Sequence, residues 1–172
     1  EIQNPYFYGE VSISRTARYF PANWIFKPLI ILSAFFLFLY WKNNFHLFNE
    51  LKNNNIINEY FKKFFYYGLF SCIFLVLHAA FLGLDIDSKI FTKFRRLIII
   101  LFIASEITAQ ILLTKTLFQS RKVLENYIKP SVLKIKVFFV ILVFFITIAS
   151  FVFLIFGNPT SAFKHILEWN YF

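Results

Sequence analysis

Four long apolar runs decide what this chain can fold into. They cover residues 24–41, 64–84, 97–118 and 137–157. About 20 apolar residues wound as a helix cross ~30 Å of hydrocarbon, at ~1.5 Å per residue. Hydrocarbon offers the backbone no hydrogen-bond partner, so a run of this length satisfies its own amides as a helix. The abundance of Phe and Ile would favour strands in water, but the unbroken length of each run overrules that preference. The expected fold is all-α: a polytopic transmembrane helical bundle with four spans, forming one domain over residues 1–172.

The flanks of the runs agree with this reading. Trp24, Tyr40, Trp41, Tyr66 and Tyr67 stand at span ends, where an amphipathic ring sits between lipid and water. Pro28 lies near the start of the first run, where a missing N–H costs least, and Lys27 beside it can snorkel outward. Gly157-Asn158-Pro159 is a stop signal for the fourth. Hydrophobic residues make up 59 % of the chain, too many for an ordinary soluble domain. The net charge of +9 comes from cations placed between the apolar runs. That pattern suits lipid headgroups and membrane topology, not nucleic acid, which needs a basic face on a folded domain. Cys72 is the one cysteine and lies inside a run, so no intrachain disulfide forms and the redox compartment is not readable. The chain has no Met, so residues upstream of position 1 are expected. Residues 1–19 lack the basic-then-apolar order of a signal peptide.

The connections differ in kind. Residues 43–63 are Asn-rich, with an amphipathic tendency in Phe45, Leu47, Phe48 and Leu51 that predicts a segment lying on the membrane surface. The short connection 84–96 forces an antiparallel hairpin between the second and third spans. Residues 119–136 are basic and contain Pro130. Ten of the 18 Lys/Arg fall on the side of the 43–63 and 119–136 loops and eight on the other. This bias places those two loops in the cytoplasm; which membrane is involved is not encoded.

Glu106 is the most informative polar residue. It lies nine positions into the third run, about 14 Å deep. An ionisable group at that depth faces a partner or a wet cavity. Gln110 lies four residues on and shares its face, and Thr114 continues the stripe, with Ser105 and Thr108 beside it. Two readings stand open for Glu106: a proton, headgroup or ligand contact inside the bundle, or a hydrogen bond that only joins helices. His78, about 9 Å from the same surface on the neighbouring helix of the hairpin, is the expected partner, within about one helical turn. No His, Cys or carboxylate stands at metal-ligand spacing beside it, so no metal is assigned, and no cofactor is implied. Asp85, Asp87, Lys89, Lys93, Arg95 and Arg96 form a charged rim suited either to a phosphate headgroup or to plain interfacial anchoring. There is no Gly-rich phosphate loop and no nucleophile elbow, so no reaction is assigned.

Two short motifs carry a resemblance. Near the start, Ile13, Ser14, Phe20, Pro21, Ile25 and Phe26 lead into the first run. Near the end, Ser161-Ala-Phe-Lys-His-Ile-Leu-Glu168-Trp169 combines a small residue, an aromatic and a Glu-Trp pair. Both resemble segments of the DRAM, SFK and FRAG-type family, which holds autophagy modulators and GPI-anchor remodelling proteins. The resemblance implies that the four runs are the middle of a six-helix protein, with both motifs extracytoplasmic. It also implies handling or sensing of GPI-related or phospholipid molecules, or recruitment of lipid-modifying partners.

On this reading Glu106, Gln110 and His78 form a lipid or ligand site, with Arg15, Arg18, Arg95, Arg96 and Glu168 lining its mouth. The expected partners are membrane lipids. The second reading is an accessory subunit of a larger membrane complex, such as a respiratory one, with other membrane-protein subunits as partners. The third is a small proton-coupled transporter using Glu106. The chain shows no internal repeat and no Gly/Pro-broken pair of spans, the usual marks of that class.

Overall fold

The computed structural model describes residues 4–8, 20–53, 62–82, 84, 88–124, 128–156, 160–163 and 165–166. Among the described residues the elements are all helical. They are α1 (Pro5–Tyr8), α2 (Ala22–Asn53), α3 (Lys62–Phe81), α4 (Lys89–Gln119), α5 (Arg121–Leu124) and α6 (Pro130–Phe156). The four long helices, α2, α3, α4 and α6, are each long and apolar enough to cross a membrane.

Helix α3 is the middle of the assembly because its sequence puts a buried residue on one stripe at every turn. Phe64, Gly68, Ser71, Leu75, His78 and Leu82 are all buried. Their spacing alternates between four and three residues, the seam of a left-handed helix pair. Gly68, Ser71, Cys72 and Ala79 are small, which lets neighbouring backbones approach where van der Waals packing drives association. Helices α3 and α4 share the most extensive interface, α2 packs on α3, and α6 packs on α4. The long helices therefore pack in the order α2–α3–α4–α6, curled enough that Lys136 of α6 reaches Tyr40 of α2. In α3, 39 % of the apolar window is buried; in α6 none is, so α6 turns almost its whole surface outward.

One end of the bundle, along the helix axes, is locked by large side chains. Trp41 and Phe48 of α2, Phe64 of α3, and Leu113 and Leu117 of α4 form a cluster with Cys72, Ala109 and Leu124. The Phe64 ring lies 5.6 Å from Phe48 and 6.1 Å from Trp41, centroid to centroid, and Phe45 stacks on Phe65 at 4.5 Å. The Trp41 indole lies directly over Gly68, in the space that any Cβ at that position would occupy.

This end departs from the sequence reading. The expected surface segment after residue 41 is a continuation of α2 through Asn53, making a 32-residue helix. At ~1.5 Å per residue such a helix is about 48 Å long, well beyond the ~30 Å of hydrocarbon. Trp41, Phe45 and Phe48 recur at i, i+4 and i+7, so they form one face of a helix, and that face packs on Phe64 and Phe65 instead of lying on lipid. The fourth long helix starts at Pro130, not at 137. Proline suits a first helical turn because its missing N–H is unpaired there anyway. Lys134 and Lys136 are thereby helical residues and not loop residues. Helix α3 ends at Phe81, three residues short of the expected 84.

Candidate functional site

Five polar residues, Tyr40, Lys136, Gln110, Glu106 and Ser71, form one continuous chain of hydrogen bonds across all four long helices. Tyr40 on α2 begins it. Its ring packs edge-on to that of Trp41, with 5.0 Å between centroids, and Trp41 in turn lies over Gly68. Lys136 stands six residues into α6, just before an apolar stretch, and its long stem carries the ammonium back into the bundle. The Lys136 Nζ donates to Tyr40 Oη at 3.0 Å and to Gln110 Oε1 at 3.3 Å. On α4, Gln110 Nε2 donates to Glu106 Oε1 at 2.9 Å, the i, i+4 contact that their shared face requires. Across the α3–α4 seam, Ser71 Oγ donates to Glu106 Oε2 at 2.7 Å and also lies 2.8 Å from the Gly68 carbonyl oxygen.

The order of groups follows charge. The Gln110 amide stands between the Lys136 ammonium and the Glu106 carboxyl group, with its oxygen toward the cation and its N–H toward the acid. Reversed, it would set donor against donor and acceptor against acceptor. Glu106 lies ten residues from Arg96 and nine from Lys115, near the centre of the apolar stretch of α4. A polar group there has no water to replace a lost partner, which is why its oxygens are occupied from two helices.

The structure brings some of the expected site residues together and keeps others apart. Glu106 and Gln110 are in direct contact. His78 does not complete the pair: the hairpin brings Ser71 opposite Glu106, and His78 lies seven residues further along α3, about 10 Å away along the axis. His78 is buried at the other end of the helix pair, with Arg95 as the cation within its electrostatic range. Arg95 and Arg96 lie in the second turn of α4 and stand at that far end, away from the Glu106 chain. Thr114 is buried on the stripe of Glu106 and Gln110, but its hydroxyl oxygen has no hydrogen-bond partner and stays outside the chain. Arg15, Arg18 and Glu168 lie outside the described residues, as do Asp85, Asp87, Ile13, Ser14 and Trp169.

Sequence reasoning missed Ser71, Lys136 and Tyr40. The signal for Lys136 was its position at the very edge of an apolar run. For Ser71 it was a small polar residue one helical turn from Gly68.

A groove of about 230 Å³ runs beside the chain between α4 and α6. It is lined by Glu106, Ile107, Gln110, Phe139, Val140 and Val143. The carboxyl and amide groups are engaged with each other and with Ser71 and Lys136, so the face offered to the groove is carbon. Comparison with protein-family models, with curated proteins and with solved structures finds no match to this chain.

Proposed function

We propose that this chain handles membrane lipid, taking an acyl chain into the α4–α6 groove above the Glu106–Gln110 pair. The observation that carries the reading is the groove itself. It opens from the bundle along the outermost helix, its lining is apolar, and its floor is held by a polar chain that fixes the spacing of α4 and α6. The polar chain is the frame of the site and the groove is its binding surface. The likeness of the terminal motifs to lipid- and GPI-handling membrane proteins supports the same class of ligand.

The test is native mass spectrometry of the full chain purified in mild detergent. Val140→Trp with Val143→Trp fills the groove and should remove most of the retained lipid. Val132→Trp with Ile135→Trp adds two indoles at exposed positions of α6 and should leave retention intact. Equal retention in all three proteins overturns the proposal.

A second reading rests on α6, whose apolar stretch holds no buried residue and which packs on the rest through α4. A helix held on one side only suits a subunit that completes a larger bundle. Stoichiometric partner proteins in the same purification would favour it.

A further inference from the structure

At the α4–α5–α6 corner the structure holds a second cavity, of about 250 Å³, that shares no lining residue with the Glu106 groove. Leu117, Phe118, Leu124, Ile128, Pro130 and Leu133 make its apolar walls, and Arg121, Lys122 and Lys134 stand around them. We propose that this corner binds the phosphate headgroup of an anionic glycerophospholipid, with the upper part of one acyl chain against the apolar walls.

Three observations converge on that occupant. Among the described residues, Arg121, Lys122 and Lys134 make no ion pair with a carboxylate. Three cations lining one small cavity place a local positive charge there that an anion can neutralise. The Arg121 guanidinium is held 4.7 Å from the centroid of the Phe118 ring, which orients its planar fork without using up its N–H donors. The cavity also sits where the apolar stretch of α4 ends and that of α6 begins, the depth of the headgroup layer. A free anion would have no use for six apolar lining residues; a lipid uses both halves. Arginine supplies the bidentate contact to phosphate, and the two lysines supply point charges.

The proposal rests on the membrane-lipid reading given above but not on its groove, so the two fail separately. The full chain is purified in mild detergent and offered phosphatidylglycerol, phosphatidylcholine or inorganic phosphate, with bound species counted by native mass spectrometry. Phosphatidylglycerol should be retained over phosphatidylcholine, and inorganic phosphate should not displace it. Arg121→Gln with Lys134→Gln should lower phosphatidylglycerol retention about five-fold per cation removed. The charge-keeping pair Arg121→Lys with Lys134→Arg should restore most of it, which separates charge from folding. Removing two cations elsewhere at the same end, Lys42→Gln with Lys62→Gln, should change nothing. Val140→Trp with Val143→Trp, which fills the Glu106 groove, should spare this selectivity. Equal retention of the two lipids, equal loss in the Lys42/Lys62 control, or displacement by inorganic phosphate would each overturn the assignment.

Discussion

The Ser71 hydroxyl of α3 lies 2.7 Å from the Glu106 carboxyl oxygen of α4, joining the two helices with the largest shared interface. Ser71 is fully buried. Removing its hydroxyl leaves Glu106 Oε2 without that donor at a depth where water does not substitute. Interhelical hydrogen bonds in membranes average ~0.6 kcal/mol and reach ~1.7. Ser71→Ala should therefore destabilise the fold by about 1 kcal/mol in a denaturing-detergent titration. In a double-mutant cycle with Glu106→Leu the two losses should be non-additive, since either change alone breaks the bond. Strictly additive losses would mean that the contact carries no energy.

Gly68 and Trp41 make a sharper steric case. A methyl group at Gly68 falls within the Trp41 indole, and the ring, fully buried between α2 and α3, has nowhere to go. Overpacking of this kind costs ~1–3 kcal/mol. Gly68→Ala should fall in that range, and Trp41→Phe in the same protein should recover part of it by shrinking the ring. Trp41→Phe also deletes an indole N–H that has no partner in the structure, so it carries no hydrogen-bond penalty of its own. An unchanged unfolding midpoint for Gly68→Ala would contradict the close approach of the two helices.

The helices and the Glu106–Gln110 pair were legible in the sequence, and the reason is periodicity and depth. Each long apolar run announces a helix by length alone. Glu106 and Gln110 announce each other because i and i+4 share a face whatever the tertiary structure. Partners on other helices are a different matter. The hairpin makes α3 and α4 neighbours, but their relative sliding depends on how Gly68, Ser71 and Leu75 mesh with α4. That offset selects Ser71 over His78. Lys136 was hidden because a lysine at the edge of an apolar run normally points to headgroups. Here the helix starts earlier, at Pro130, and the stem turns inward. The amphipathic tendency of Phe45, Leu47, Phe48 and Leu51 was legible, but not what covers it: Phe45 and Phe48 meet Phe65 and Phe64 of α3 instead of lipid.

Cys72 offers a probe of the α3–α4 seam. It is the one thiol, and it is buried beside Ser71 in the cluster with Ala109 and Leu113. A membrane-permeant maleimide should label it slowly in the intact protein, because labelling waits for local opening. Glu106→Ala removes the carboxyl group that joins Ser71 to Gln110, and labelling should speed up several-fold. Fast labelling of the unaltered protein would contradict the burial of this face.

Lys136 decides how α6 is held. That helix packs mainly on α4, so the bonds from Lys136 tie it both to its neighbour α4, through Gln110, and to α2, through Tyr40. Two effects compete when Lys136→Met is made. Losing the ammonium removes the cost of holding a charge near hydrocarbon, which favours the variant. It also leaves the Gln110 oxygen and the Tyr40 hydroxyl without their donor, which disfavours it. Lys136 is only half-buried and lies at the start of the apolar stretch, so the first effect is the smaller. The second should amount to about 1 kcal/mol, a roughly five-fold rise in local opening. Hydrogen exchange of residues 130–140 should then accelerate by that factor while the buried stripe of α3 keeps its protection. Lys136→Arg retains donors and charge and should stay close to the unaltered protein. If Lys136→Met instead slows exchange in α6, desolvation dominates, and the amine is a burden that the bundle tolerates, not a tie.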